Sequence, residues 1–169
     1  MYLQLAEALI AVFVTVLICR LIKGKQYEKK AVIVLLITAL CGILYYTLVS
    51  GSRAQLGGMK FSFPPPFIKA LMTLHYGLTT NRSVLNILLF VPFGLVLSTL
   101  FYDSNRFKIR WWIVMIVGLA VSLAVETSQL VFRLGVFEID DLVKNTIGAT
   151  LGYYLFYLLN KRDINSQRG

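Results

Sequence analysis

Charge is scarce in this chain. Only 15% of its 169 residues are Asp, Glu, Lys or Arg, against about 25% in a soluble domain. That leaves too little polar surface to cover a water-soluble core, which excludes a soluble enzyme, a disordered chain and a coiled coil. Cysteine is nearly absent. Cys19 and Cys41 both fall in apolar runs with no Cys or His at metal spacing nearby, so a zinc site is unsupported and packing is the expected role of each. Histidine is limited to His75. There is no Ser/His/Asp set, no H-E-x-x-H and no phosphate-binding loop, and no repeat or low-complexity tract. Acidic residues number eight against seventeen basic ones, a net charge of +9. In a soluble protein that excess would suggest nucleic acid, but no nucleic-acid motif is present. Membrane orientation and lipid contact are the better reading.

Apolar residues are abundant. They make up 57% of the chain, the mean hydropathy is +0.72, and they cluster. Five runs are expected to span a bilayer: residues 3–22, 31–49, 84–102, 111–132 and 142–159. Each has about 18–22 residues, close to the ~20 that cross a ~30 Å hydrocarbon core. Helices are required, because a segment in lipid must satisfy its own backbone and barrel strands would alternate over ~10 residues. The expected fold is all-α, one domain over residues 1–169, a polytopic bundle of five transmembrane helices. The first run begins at once, without a preceding basic stretch, and its basic residues follow it. It is therefore read as a retained span and not a signal peptide.

Charge sets the expected orientation. Segment 20–30, at the end of the first run, holds Arg20, Lys23, Lys25, Lys29 and Lys30, segment 103–110 holds Arg106, Lys108 and Arg110, and the tail holds Lys161, Arg162 and Arg168. The other connections hold Arg53, Lys60, Lys69, Arg82 and Arg133. Eleven against five places the N-terminus outside and the C-terminus in the cytoplasm. Tyr102, Trp111 and Trp112 then sit at the inner interface. The long connection 50–83 lies outside. It contains Gly57-Gly58 and Pro64-Pro65-Pro66 before the amphipathic stretch 67–74, and is expected to form a surface-lying lid or, more simply, a linker.

Polar groups inside apolar runs cost roughly 2.5–3.5 kcal/mol when charged and central, so they are functional candidates. Glu126, Gln129 and Arg133 follow an i, i+3, i+7 spacing on one helix face. Arg82 and Lys144 are candidate partners for Glu126. Asp141 and Asn145 share a face of the fifth run, with Asp140 beside them. Gly148 and Gly152 form a small-xxx-small pair that admits a close helix. Asn86 opens the third run, in which Pro92 and Gly94 invite a kink. With the orientation above, Asn86, Glu126, Gln129, Arg133, Asp140, Asp141 and Asn145 all fall in or above the outer half of the membrane. They can converge on one outward-facing pocket. The plainer alternatives are interhelical bonds for Asn86 and Gln129, an N-cap for Asp140 or Asp141, and a structural ion pair for Glu126.

The order Asn86-x3-Phe90-x-Pro92-x-Gly94, then Glu126-x2-Gln129-x3-Arg133, then Asp141-x3-Asn145-x2-Gly148-x3-Gly152 resembles the VanZ-like membrane protein family. The resemblance implies a protein of the bacterial cytoplasmic membrane, and a link to low-level resistance to the lipoglycopeptide teicoplanin. It supplies no reaction. The expectation is a pocket that binds a membrane lipid, a cell-wall precursor or the lipoglycopeptide, with Arg133 as anion contact and the amides as orienting groups. An alternative is a membrane enzyme using Glu126 with Asp140 or Asp141 as acid and base, or carboxylates holding a divalent ion. A third is a small lipid transporter. No cofactor or metal is called for.

Overall fold

The computed structural model describes residues 2–22, 28–50, 81–103, 106–107, 110–132, 134 and 137–166. Five α-helices are formed within them: α1 (Tyr2–Ile22), α2 (Glu28–Leu44), α3 (Asn81–Leu100), α4 (Trp111–Val131) and α5 (Ile139–Ser166). A π-helical turn, Tyr45–Ser50, continues α2. A two-residue antiparallel pairing of β1 (Tyr102–Asp103) with β2 (Arg106–Phe107) tightens the connection from α3 to α4. The expected lid, with Pro64–Pro66 and His75, lies outside the described residues.

The helices match the five apolar runs with shifted ends. α5 extends past residue 159 to Ser166, because Asn160, Lys161 and Arg162 continue the helix after the apolar stretch ends. Among the described residues, three segments are both long and apolar enough to cross a membrane: Leu5–Ile22, Glu28–Thr47 and Trp111–Val131. The apolar part of α3, Val84–Leu100, is shorter, and α5 carries charge at both ends.

Position in the bundle explains why α3 and α5 depart from the simple pattern. α3 packs against all four other helices, and against α5 most extensively. Its Phe90, Val91, Phe93, Leu95, Val96 and Leu97 are buried, as are the hydroxyl residues Ser98 and Thr99. Those hydroxyls bond back to the carbonyls of Gly94 and Leu95, at 2.7 and 2.9 Å, so they enter the interior already satisfied. The outer helices instead expose apolar stripes: Ile10, Phe13, Leu17 and Leu21 on α1, and Ile116, Leu119 and Leu123 on α4. In a membrane protein such stripes face hydrocarbon.

Small residues seat α5 on α3. A side-chain carbon at Gly148 would meet the Ile87 carbonyl, one at Gly152 the Val91 carbonyl, and one at Gly94 the Ala149 carbonyl. The two backbones therefore touch where the expected small-xxx-small spacing falls. Pro92 lies within a continuous helix at this contact. Two buried apolar clusters complete the packing. One joins Ile43, Phe90, Phe93, Val114 and Tyr153, the other Cys19, Val32, Leu95, Val96 and Phe156. Cys19 is buried as expected, whereas Cys41 is exposed on α2 and packs against nothing in these cores.

Candidate functional site

The polar residues concentrate where α3 begins, α4 ends and α5 begins. α4 carries Ser122, Glu126 and Gln129 on one face. Glu126 is 3% exposed and Ser122 fully buried. Oε2 of Glu126 accepts the backbone N–H of Glu138 at 3.0 Å. Glu138 precedes α5, and its carbonyl accepts from the amides of Asp141 and Leu142. It is therefore the N-cap residue, and its own amide is capped by a carboxylate from the preceding helix. Within a capping box a side chain of the same helix does this job. The expected N-cap at Asp140 or Asp141 is thus displaced to Glu138. Both aspartates lie in the first turn of α5, where negative charge suits the helix dipole.

Asn145, 3% exposed, donates from Nδ2 to Ser122 Oγ at 2.9 Å. Its Oδ1 is buried and has no hydrogen-bond partner among the described residues. The Asn86 side chain stands within hydrogen-bonding reach of the Asp141 carboxylate. Lys144 approaches the same carboxylate at 3.5 Å, one turn along α5. Three helices thus contribute Asn86, Ser122, Glu126, Asp141, Lys144 and Asn145 to one neighbourhood. Lys144 is committed to Asp141, not to Glu126 as the sequence allowed.

One of the expected residues is placed differently. Gln129 turns to α2's extension, donating from Nε2 to the Thr47 carbonyl at 3.0 Å. That bond ties α4 to the π-helical turn. Arg133 lies outside the described residues, as does the side chain of Arg82. Asp140 is partly exposed, next to Asp141. Ser122 escaped the sequence reading because serine is cheap in a helix, yet it stands at i−4 from Glu126 on the face already singled out. Thr47 acts through its carbonyl and the Glu138 amide is a backbone group, so neither left a trace in side-chain identity. Among the described residues, no three His, Cys, Asp or Glu side chains gather as a metal site.

An apolar-surfaced helical bundle that buries amide, hydroxyl and carboxylate groups between its helices is a membrane protein. The profile of the VanZ/LLP1 family matches residues 31–160, and the chain belongs to that family. It is 36% identical over 76 residues to Protein VanZ of Enterococcus faecium. That match takes in 45% of this chain and 44% of the relative, so the aligned region spans less than half of the curated protein. No solved structure gives a significant match.

Proposed function

We propose that this protein is a five-span protein of the bacterial cytoplasmic membrane whose polar cluster binds the head group of a lipid, a cell-wall precursor or a lipoglycopeptide. In this reading it contributes to glycopeptide resistance of the teicoplanin type. The N-terminus and the start of α3 face outward and the C-terminus inward, in keeping with the distribution of basic residues. The carrying observation is the buried Asn145 Oδ1, which lacks a hydrogen-bond partner among the described residues. A buried amide oxygen left unpaired costs about 1–3 kcal/mol, so a ligand N–H or O–H that reaches it gains that much. Asn86, Glu126 and Asp141 supply further acceptors nearby, and Arg133, which follows α4 in sequence, is assigned the anion contact. Membership of the VanZ/LLP1 family supports the glycopeptide link.

The test compares the full chain with Asn145→Leu and Arg133→Gln at matched membrane levels. Teicoplanin susceptibility is measured together with photo-crosslinking to a lipid-linked cell-wall precursor. The expected result is crosslinking and lowered susceptibility with the native chain, and loss of both in each variant. Unchanged susceptibility and crosslinking in both variants would overturn the proposal. Chemical conversion of the precursor by purified protein would replace it with the enzymatic alternative.

A further inference from the structure

We propose that the opposite end of the bundle holds a second binding site, for a phospholipid head group that carries both a phosphate and a protonated primary amine. This site stands apart from the polar cluster and independent of the function assigned to it. A cavity of about 90 Å³ opens where α1 ends, α2 begins and the last turns of α3 meet α5. One water needs roughly 10–15 Å³ of such space, so the cavity admits a phosphate or an ammonium group.

The lining has the composition such a ligand needs. Arg20 and Glu28 bring opposite charges to one cavity, and Tyr102 and Asn160 add neutral polar groups. Val16, Leu95 and Leu159 supply apolar wall against which the start of an acyl chain can lie. The walls are fixed: the Tyr102 ring meets Phe156 edge-on with centroids 5.6 Å apart. Asn160 donates to the Phe156 carbonyl at 2.9 Å. A guanidinium holds a phosphate through two parallel hydrogen bonds. A carboxylate in the same cavity disfavours a purely anionic head group and favours one that brings its own ammonium. A quaternary amine fits less well, having no N–H to donate to Glu28.

Depth and surroundings agree. Tyr102 belongs to the interfacial aromatics, and Lys29, Lys30, Arg110 and Lys161 sit at helix ends or in connections on this same end of the bundle. These attract phosphate without regard to the rest of the head group. The cavity adds the discrimination.

The experiment uses the purified full chain in detergent, titrated separately with phosphatidylethanolamine, phosphatidylglycerol and phosphatidylcholine and read by native mass spectrometry. Thermal unfolding monitors folding of every variant. The native chain is expected to retain phosphatidylethanolamine over the other two by about fivefold, or roughly 1 kcal/mol. Glu28→Gln should bring phosphatidylethanolamine down to the level of phosphatidylcholine. Arg20→Gln should weaken all three by several-fold. Lys161→Gln, outside the cavity lining, should keep the native preference. Equal retention of the three lipids by the native chain would overturn the site. So would an unchanged preference in folded Glu28→Gln, undiminished retention of all three lipids in folded Arg20→Gln, or loss of preference in Lys161→Gln equal to that in Glu28→Gln.

Discussion

Gly94 of α3 and Ala149 of α5 meet backbone to backbone, and a side-chain carbon at position 94 would fall on the Ala149 carbonyl. Backbone cannot yield as a flexible side chain can. Gly94→Ala is therefore expected to push α3 and α5 apart and destabilise the fold by at least about 1–3 kcal/mol, the range for overpacking. Gly42 of α2 is the control, since nothing lies within 4 Å of an added carbon there. Gly42→Ala should be neutral or stabilising by up to about 1 kcal/mol, the helix-propensity difference between the two residues. Thermal unfolding in detergent measures both. Equal behaviour of the two variants would contradict the packing described.

Ser122 and Asn145 form a bond between buried side chains on different helices, at 2.9 Å. A double-mutant cycle of Ser122→Ala and Asn145→Ala isolates it. The coupling should be about 0.6 kcal/mol and no more than about 1.7, as for other hydrogen bonds between membrane helices. Strict additivity in the unfolding free energies would mean that the two groups do not interact.

Glu126 holds the entrance of α5 by accepting the Glu138 amide at 3.0 Å. Glu126→Gln keeps a carbonyl oxygen able to accept that bond, whereas Glu126→Leu leaves the amide without it. Hydrogen exchange at the Glu138 amide should therefore stay slow in the Gln variant and rise by roughly tenfold or more in the Leu variant, the equivalent of a bond worth about 1.5 kcal/mol to a charged acceptor. Equal acceleration in both variants would show that charge, not acceptor geometry, secures the turn.

The five helices were legible because apolar run length is a direct consequence of bilayer thickness. The face of Glu126 and the close approach at Gly148 and Gly152 were legible because helical period fixes which residues share a side. What stayed hidden depended on partners. Period places Gln129 on the same face as Glu126, yet it cannot reveal that the Thr47 carbonyl of a π-helical turn lies within reach. Nor can a sequence show that the cap of α5 is Glu138, because the capping carboxylate comes from another helix. The placement of the α3 hydroxyls, Ser98 and Thr99, in the protein interior stayed hidden for a related reason. Its hydroxyls are surrounded by protein and bonded to their own helix, so hydrocarbon never meets them.

The charge distribution makes the orientation itself testable. In the proposed five-span arrangement eleven basic residues lie on the connections that share a side with the C-terminus, against five on the other connections, and each Lys or Arg kept at an anionic leaflet is worth about 1 kcal/mol. A reporter fused after Gly169 should accordingly behave as cytoplasmic, with a fluorescent protein folding and a periplasmic phosphatase remaining inactive. A cysteine placed at Ser52 in a background lacking Cys19 and Cys41 should react in whole cells with a membrane-impermeant maleimide, while one placed at Lys108 should react only after the cells are opened. Because the bias is a sum of many small terms, replacing Lys29 and Lys30 alone with Gln should leave this pattern in place. Labelling of position 108 and protection of position 52 in intact cells would invert the bundle and move the polar cluster to the cytoplasmic side, where a cell-wall precursor on the outer leaflet could not reach Asn145.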